Sequence, residues 1–186
     1  GELNTGSEKI RIIDFPGTYS IYPRSKDEEV VYKVIGNPQH PDYPDAAVVI
    51  VDASNMERNL LLFTQIYDLG IPTILVLNMT DVASKNGMLI QTEVLQRFFP
   101  ETVIVRSNAR IGTGMKELTE AISSKEIKAA ETAFVRRGTL LELDDTVGQS
   151  KDTTERFGRL KTVISESIQQ KPATGNPAFS SKADRW

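Results

Sequence analysis

The 186-residue chain lacks several features that define common functional classes. It contains no cysteine, which excludes disulfide bonds and thiolate metal sites, and its single histidine, His40, lies in a proline-rich stretch that predicts a surface turn. No run approaches the ~18 consecutive apolar residues of a membrane-spanning helix, and the first residues do not resemble a signal peptide. The net charge of -3 gives no reason to expect a nucleic-acid partner, because proteins that bind nucleic acids usually carry a basic face.

The pattern G-x-x-x-x-G-K-[ST], whose backbone N–H groups and lysine hold phosphates, is also absent. Three other motifs do occur, each after a β-branched hydrophobic run, and they are Asp14-Phe15-Pro16-Gly17, Asn78-Met79-Thr80-Asp81 and Ser107-Asn108-Ala109-Arg110. The ordered series D-x-x-G, N-x-x-D and S/N-A is what a GTPase needs to sense a γ-phosphate and bind guanine. We therefore expect the chain to begin inside a GTPase domain, with GTP and Mg²⁺ as its ligands.

The first motif offers groups for a phosphate and its metal ion. Asp14 would reach Mg²⁺ through a water molecule, because Mg²⁺ keeps much of its hydration. Phe15 and Pro16 complete the turn, and Gly17 leaves its backbone N–H open to the γ-phosphate since no Cβ stands in the way. Loss of that phosphate would release residues 18–29. The alternative interpretation is an ordinary Pro-Gly turn.

The second motif contains the predicted specificity residue, Asp81. Its carboxylate can accept two parallel hydrogen bonds from guanine, and adenine offers no such pair of donors. Asn78 would hold the neighbouring loops, Met79 would lie along the face of the base, and Thr80 completes the motif. The alternative is that Asn78 and Asp81 merely cap the next helix.

The third motif would close the guanine site through its backbone. The N–H of Ala109 would donate to the guanine carbonyl oxygen, while Ser107 and Asn108 would brace Asp81 or the loop. Residues 110–114 then return the chain to a helix. Alone, this motif is a generic loop, and its interpretation depends on the other two.

Strand and helix patterns alternate along most of the chain. Strands are predicted at 9–14, 46–51, 73–77 and 102–105, and helices at 27–35, 56–69, 93–99, 114–122 and 152–170. This order predicts an α/β fold of the P-loop GTPase type, a parallel sheet with helices on both faces, lacking the first strand and phosphate loop and followed by a short helical C-terminal extension. Such a sheet is expected to leave apolar surface exposed, and GTP binding by this chain alone is expected to be weak.

Three stretches resemble the cytoplasmic GTPase domain of the ferrous iron transport protein B (FeoB) family. They are DFPGTYSIYPRSKDEE, VDASNMERNLLLFTQIYDLGIPTILVLNMTD and NARIGTGMKEL, and the resemblance covers residues 1–122. The helix that begins DTTERF and the sequence KADR at 182–185 resemble that family's approach to its membrane region. On this basis 1–123 is predicted to be a partial GTP-binding domain, and 124–186 a remnant helical domain and linker.

The resemblance implies a GTP/GDP switch that controls Fe²⁺ uptake through a membrane transport domain of the same polypeptide. It implies a location on the cytoplasmic face of the bacterial inner membrane. GTPase activity is implied for the complete protein, and Thr18, in place of a glutamine after Gly17, predicts slow turnover. The alternative function is a non-catalytic interaction domain that kept the fold and lost the nucleotide.

Overall fold

The computed structural model describes residues 1–5, 9–124, 127–138 and 140–170. Its strands are β1 (Glu2–Asn4), β2 (Lys9–Arg11), β3 (Ala47–Asp52), β4 (Thr73–Asn78), β5 (Met88–Ile90), β6 (Val103–Arg106) and β7 (Ile168–Gln170). Its helices are α1 (Glu28–Ile35), α2 (Met56–Asp68), α3 (Thr80–Lys85), α4 (Thr92–Phe98), α5 (Met115–Ser123) and α6 (Thr146–Ser167).

The central sheet is parallel and has the order β3-β4-β6. Its middle strand, β4, reads TILVLN and is buried along five of its six positions, because helices cover both of its faces. A continuous apolar run of this length is what a doubly covered parallel strand requires. The predicted α/β class, with a parallel sheet and helices on both sides, is therefore confirmed.

The two faces of the sheet are covered unequally. On one face, Leu75 and Leu77 join a large core with residues of α2, α4 and α6. On the other face, Ile74, Val76 and Val105 form a smaller core, and Leu118, Ala121 and Ile122 of α5 pack against it.

Strand β3 continues that second face without such a cover. Val48 pairs with Ile74 and Ile50 with Val76 in register, so their side chains share the face that α5 covers at β4. Val48 is nevertheless 40% exposed and Ile50 63%. The expected exposure of apolar sheet surface is therefore found at β3.

Several predicted elements differ in extent from the structure. β2 ends at Arg11 instead of continuing to Asp14, and within the described residues it pairs only with β1, in a sheet separate from the parallel one. α6 begins six residues before the predicted start of 152 and ends at Ser167. The last three predicted helical residues form β7, which pairs antiparallel with β5. The short elements α3 and β5 were not predicted.

The C-terminal extension consists, in the described part of the chain, of the loops up to 145, α6 and β7. The part of the predicted linker beyond residue 170, including the stretch 182–185, lies outside the described residues. The apolar residues of this part of the chain pack into the large core, and they are Phe157, Leu160, Val163 and Ile164 of α6 and Ile168 of β7. None of the described helices combines the length and the hydropathy that crossing a membrane requires.

Candidate functional site

Asn78 joins the second and third motifs. It is the last residue of β4, and Ser107 follows the neighbouring strand β6, so parallel pairing brings both strand ends to one edge of the sheet. The Asn78 Oδ1 atom accepts hydrogen bonds from the Ser107 hydroxyl at 3.3 Å and from the Ala109 N–H at 3.1 Å. A guanine carbonyl that uses the Ala109 N–H would share or replace the second of these bonds.

The chain turns sharply after Asn78. Met79 adopts a left-handed conformation with φ of 59°, which is rare for a residue with a side chain, and α3 starts immediately after it. The hydroxyl of Thr80 donates to the carbonyl of Ser107 at 3.3 Å, which is a second tie between the two motifs. α3 has no side-chain capping bond, so neither Asn78 nor Asp81 serves as its cap.

Asp81 lies in the first turn of α3 with its carboxylate accessible. Its side chain is 43% exposed, and its ion pair with Lys85 is long, at 4.0 Å. An exposed pair at this distance contributes little, about 0–1 kcal/mol, so the carboxylate can exchange this partner for another at small cost. Neither Ser107 nor Asn108 contacts Asp81 through a hydrogen bond among the described residues.

The loop of the third motif is held by its own backbone and by Asn108. The Asn108 N–H donates to the carbonyl of Thr113 at 3.0 Å, and its side-chain oxygen accepts from the Arg110 N–H at 3.2 Å. Gly114 closes the loop with φ of 81°. An added Cβ at Gly114 would overlap the carbonyl oxygen of Arg106 and lie 3.0 Å from the Cα of Ser107.

Gly114→Ala is therefore expected to destabilise the fold and displace Ser107. Left-handed backbone strain and overlap with the backbone together should lower the free energy of unfolding by about 2–5 kcal/mol. Gly112→Ala is the matched control, because φ is 75° there but an added Cβ meets nothing within 4 Å. It should cost only the strain, about 1–2 kcal/mol. Urea unfolding of both variants checks this, and equal losses would contradict the close approach at Gly114.

The first motif lies apart from the other two. Among the described residues, no hydrogen bond or ion pair joins the stretch 14–17 to the second or third motif. Asp14, Pro16 and Gly17 are exposed, and Phe15 packs against the large core. At Gly17 an added Cβ would meet no atom within 4 Å, so the described fold gives no steric reason for a glycine there.

Helix α2 holds the segment that follows Gly17, and sequence reasoning missed the residues responsible. The guanidinium of Arg58 stacks over the ring of Tyr19, 3.7 Å from its centroid. The Gln65 side-chain oxygen accepts from the Ile21 N–H at 2.9 Å and from the Ser20 hydroxyl at 3.2 Å. Positions 58 and 65 are two turns apart on one helix face, and that spacing is the only sequence signal for this contact.

Asp52 is a structural residue of the loop before α2. Its Oδ1 atom accepts from both the backbone N–H of Ser54 at 2.8 Å and the Ser54 hydroxyl at 2.7 Å. His40 is likewise part of a turn, with its Nδ1 atom accepting from the Asp42 N–H at 3.1 Å. The described residues contain no group of three or more His, Cys, Asp or Glu side chains that could hold a metal ion.

Comparison with known proteins relates the chain to one family. Residues 1–122 match the family model described as ferrous iron transport protein B. The chain is 36% identical over 128 residues to the Fe(2+) transporter FeoB of Escherichia coli (strain K12), which covers 66% of this chain and 16% of that protein. It is 34% identical over 124 residues to the Fe(2+) transport protein A/Fe(2+) transporter FeoB fusion protein of Porphyromonas gingivalis, covering 67% and 14%. The chain thus spans only a small part of these curated relatives.

Solved structures with the same fold include domains of that family. The FeoB G-domain from Methanococcus jannaschii is 36% identical, with a TM-score of 0.61, covering 66% of this chain and 76% of that one. The cytosolic domain of T. maritima FeoB in its GMPPNP form has a TM-score of 0.72 and covers 91% of this chain and 84% of that one. Its identity of 19% shows the fold alone.

Proposed function

The chain belongs to the ferrous iron transport protein B family, and from this premise we propose that residues 1–123 are part of a GTP-binding domain. The proposal depends mainly on one observation. The side chain of Asn78 accepts two hydrogen bonds that connect the N-x-x-D motif to the S-N-A loop. In this arrangement the Asp81 carboxylate, in the first turn of α3, and the Ala109 N–H, in the loop of the third motif, belong to two segments that are tied together. They offer acceptors and a donor to opposite parts of a guanine edge.

The proposed roles of the motif residues follow from their chemistry. Asp81 would accept from the ring N–H and the exocyclic amine of guanine, and Met79, 40% exposed, would cover the face of the base. Gly17 would donate its backbone N–H to the γ-phosphate. An added Cβ at position 17 would meet no described atom within 4 Å, so a ligand has room to approach the backbone closely there.

The chemistry of Asp14 fits a bound Mg²⁺. Its carboxylate is exposed and is an oxygen ligand of the kind Mg²⁺ prefers. With no acidic cluster among the described residues, this part of the chain would hold the ion through Asp14, water and nucleotide phosphates, as is usual for Mg²⁺. The ion would neutralise phosphate charge during hydrolysis.

The wider role proposed for this segment concerns the complete polypeptide. Residues 124–186 would connect the GTP-binding domain to a membrane transport domain at the cytoplasmic face of the bacterial inner membrane. The nucleotide state would then control Fe²⁺ uptake through that domain. The family membership supports this role, since the curated relatives named above are Fe(2+) transporters.

Guanine nucleotides are expected to bind this chain in preference to adenine nucleotides. Titration with GDP, a non-hydrolysable GTP analogue and ADP, followed by amide NMR shifts, measures affinities as weak as millimolar. GDP and the GTP analogue should move the signals of 78–81 and 107–109 first, whereas ADP should not. Equal responses to all three nucleotides, or none, would favour the non-catalytic interaction domain.

A further inference from the structure

The segment from Thr18 to Tyr22 leads from the exposed first motif into the interior of the protein. Tyr19 is half exposed beneath Arg58, whereas Ile21 is 2% and Tyr22 8% exposed. Gln65 of α2 fixes the middle of the segment through the Ile21 N–H. The segment therefore leaves the exposed Gly17 and ends on a buried tyrosine within five residues.

Tyr22 connects this segment to α6, which lies far away in the sequence. Its hydroxyl donates to the Asp152 Oδ2 atom at 3.1 Å. Burial, and then the neighbouring carboxylate of Asp152, raise the pKa of Tyr22 above its ordinary value, so the hydroxyl stays protonated and remains a donor. Asp152 itself is 2% exposed.

The contact is one end of a continuous buried network. Arg156 donates through Nε to Asp152 at 2.8 Å and through an Nη atom to the carbonyl of Thr64 at 2.9 Å. The same Nη atom forms an ion pair with Asp68 at 2.8 Å. Asp68 accepts in turn from the backbone N–H groups of residues 134–136. No buried side-chain polar atom in the described part of the chain lacks a partner, so a shift of Tyr22 must displace or unpair a buried group.

The other end of α6 reaches the segment that follows the N-x-x-D motif. The carbonyl of Ser167, the last residue of α6, accepts from the Gln91 N–H at 2.8 Å. Beyond it, β7 pairs with β5, which follows α3 and Asp81 by a few residues. One helix is thus fastened to the segments that follow both the first and the second motif.

We propose that Tyr22 is a positioning residue whose hydrogen bond to Asp152 sets the position of α6 according to the conformation of the segment after Gly17. The proposal rests on the proposed function only for the cause of that conformational change, which is the γ-phosphate at Gly17. A network that merely stabilised the core would give the same contacts but would not transmit a local change from residues 18–22 to the first half of α6.

Tyr22→Phe removes the hydroxyl and keeps the ring. We expect amide hydrogen exchange to become about fivefold to tenfold faster both in 18–22 and in 150–157, because a hydrogen bond to a charged acceptor that holds the two together is lost. Tyr32→Phe is the matched control, since its hydroxyl donates to the carbonyl of Leu141 at 2.9 Å and touches no group of the network. It should leave both stretches unchanged, and exchange in β4 reports global stability in both variants.

Acceleration confined to 18–22, or equal acceleration everywhere including β4, would overturn the proposal. A second arm adds GDP or a non-hydrolysable GTP analogue to the unaltered chain. The two nucleotides should give different exchange in 150–157, and Tyr22→Phe should abolish that difference. If neither nucleotide changes amide exchange at 78–81, the result counts against the proposed function alone. If both nucleotides change exchange at 78–81 but exchange at 150–157 is the same with each, the result counts against the coupling.

Discussion

Asp81→Asn is expected to replace a preference for guanine with a preference for xanthine. The substitution changes one carboxylate oxygen into an NH₂ group, so a donor would face the exocyclic amine of guanine, which is also a donor. Leaving such groups unpaired costs about 1–3 kcal/mol, or about 5- to 150-fold in affinity. Xanthine carries a carbonyl at that position and would accept the new hydrogen bond.

The measurement is a titration of GDP, XDP and ADP into both forms, followed by the amide NMR signals of 78–81 and 107–109. Asp52→Asn is the matched control. Asp52 lies at the end of β3, next to the end of β4, but its Oδ1 atom accepts hydrogen bonds from Ser54 in its own loop. It should leave base preference unchanged. If Asp81→Asn keeps the affinity for GDP and gains none for XDP, the second motif does not recognise the base.

The central part of the fold could be predicted because its signals are local. β4 and its neighbours are continuous apolar runs, and α2 shows a wide apolar face that ends at Gly70. Because each motif follows a predicted strand, the sequence predicts that all three lie at the carboxyl edge of one parallel sheet. Two of them do meet, since parallel strands β4 and β6 are adjacent.

The elements that were missed or misplaced depend on contacts between distant parts of the chain. β5 and β7 have three residues each and are strands only because they pair with one another, so neither has a pattern of its own. Ile12 and Ile13 continue the predicted strand, but the ladder between β1 and β2 ends at Arg11, and beyond it Ile12 exchanges two backbone hydrogen bonds with Gly1. The turn into α3 depends on the left-handed conformation of Met79, a residue type that does not signal it.

The buried polar network was missed although the sequence contained a signal for it. Asp152 and Arg156 are four residues apart, a spacing usually seen in solvated pairs on a helix surface. They also lie in line with Leu160 and Val163, which are 0% and 1% exposed. A charged pair on the apolar stripe of a helix indicates a buried pair, but its third partner, Asp68, can be identified only from the fold.

Arg156→Ala is expected to be among the most destabilising substitutions in the chain. The side chains of Arg156, Asp68 and Asp152 are 2–3% exposed, and the guanidinium is the only cation that pairs with these two carboxylates among the described residues. Removing it leaves two buried carboxylates without their cation and removes the side-chain hydrogen bond to the carbonyl of Thr64. The free energy of unfolding should fall by about 3–5 kcal/mol, measured by urea denaturation at neutral pH.

Arg136→Ala is the matched control, because it also removes an arginine from an ion pair, but from an exposed one. It tests whether burial, and not the loss of a charge, causes the loss of stability. Arg136 pairs with Glu155 at 3.1 Å, but both side chains are about two-fifths exposed, at 41% and 43%, so its loss should cost about 0–1 kcal/mol. The alanine also keeps the backbone N–H that donates to Asp68. If the free energies of unfolding of Arg156→Ala and Arg136→Ala fall by amounts within about 1 kcal/mol of each other, water must reach Asp68 and Asp152 in the folded chain. A network open to water could not hold α6 rigidly against Tyr22, so this result would also weaken the coupling inferred above.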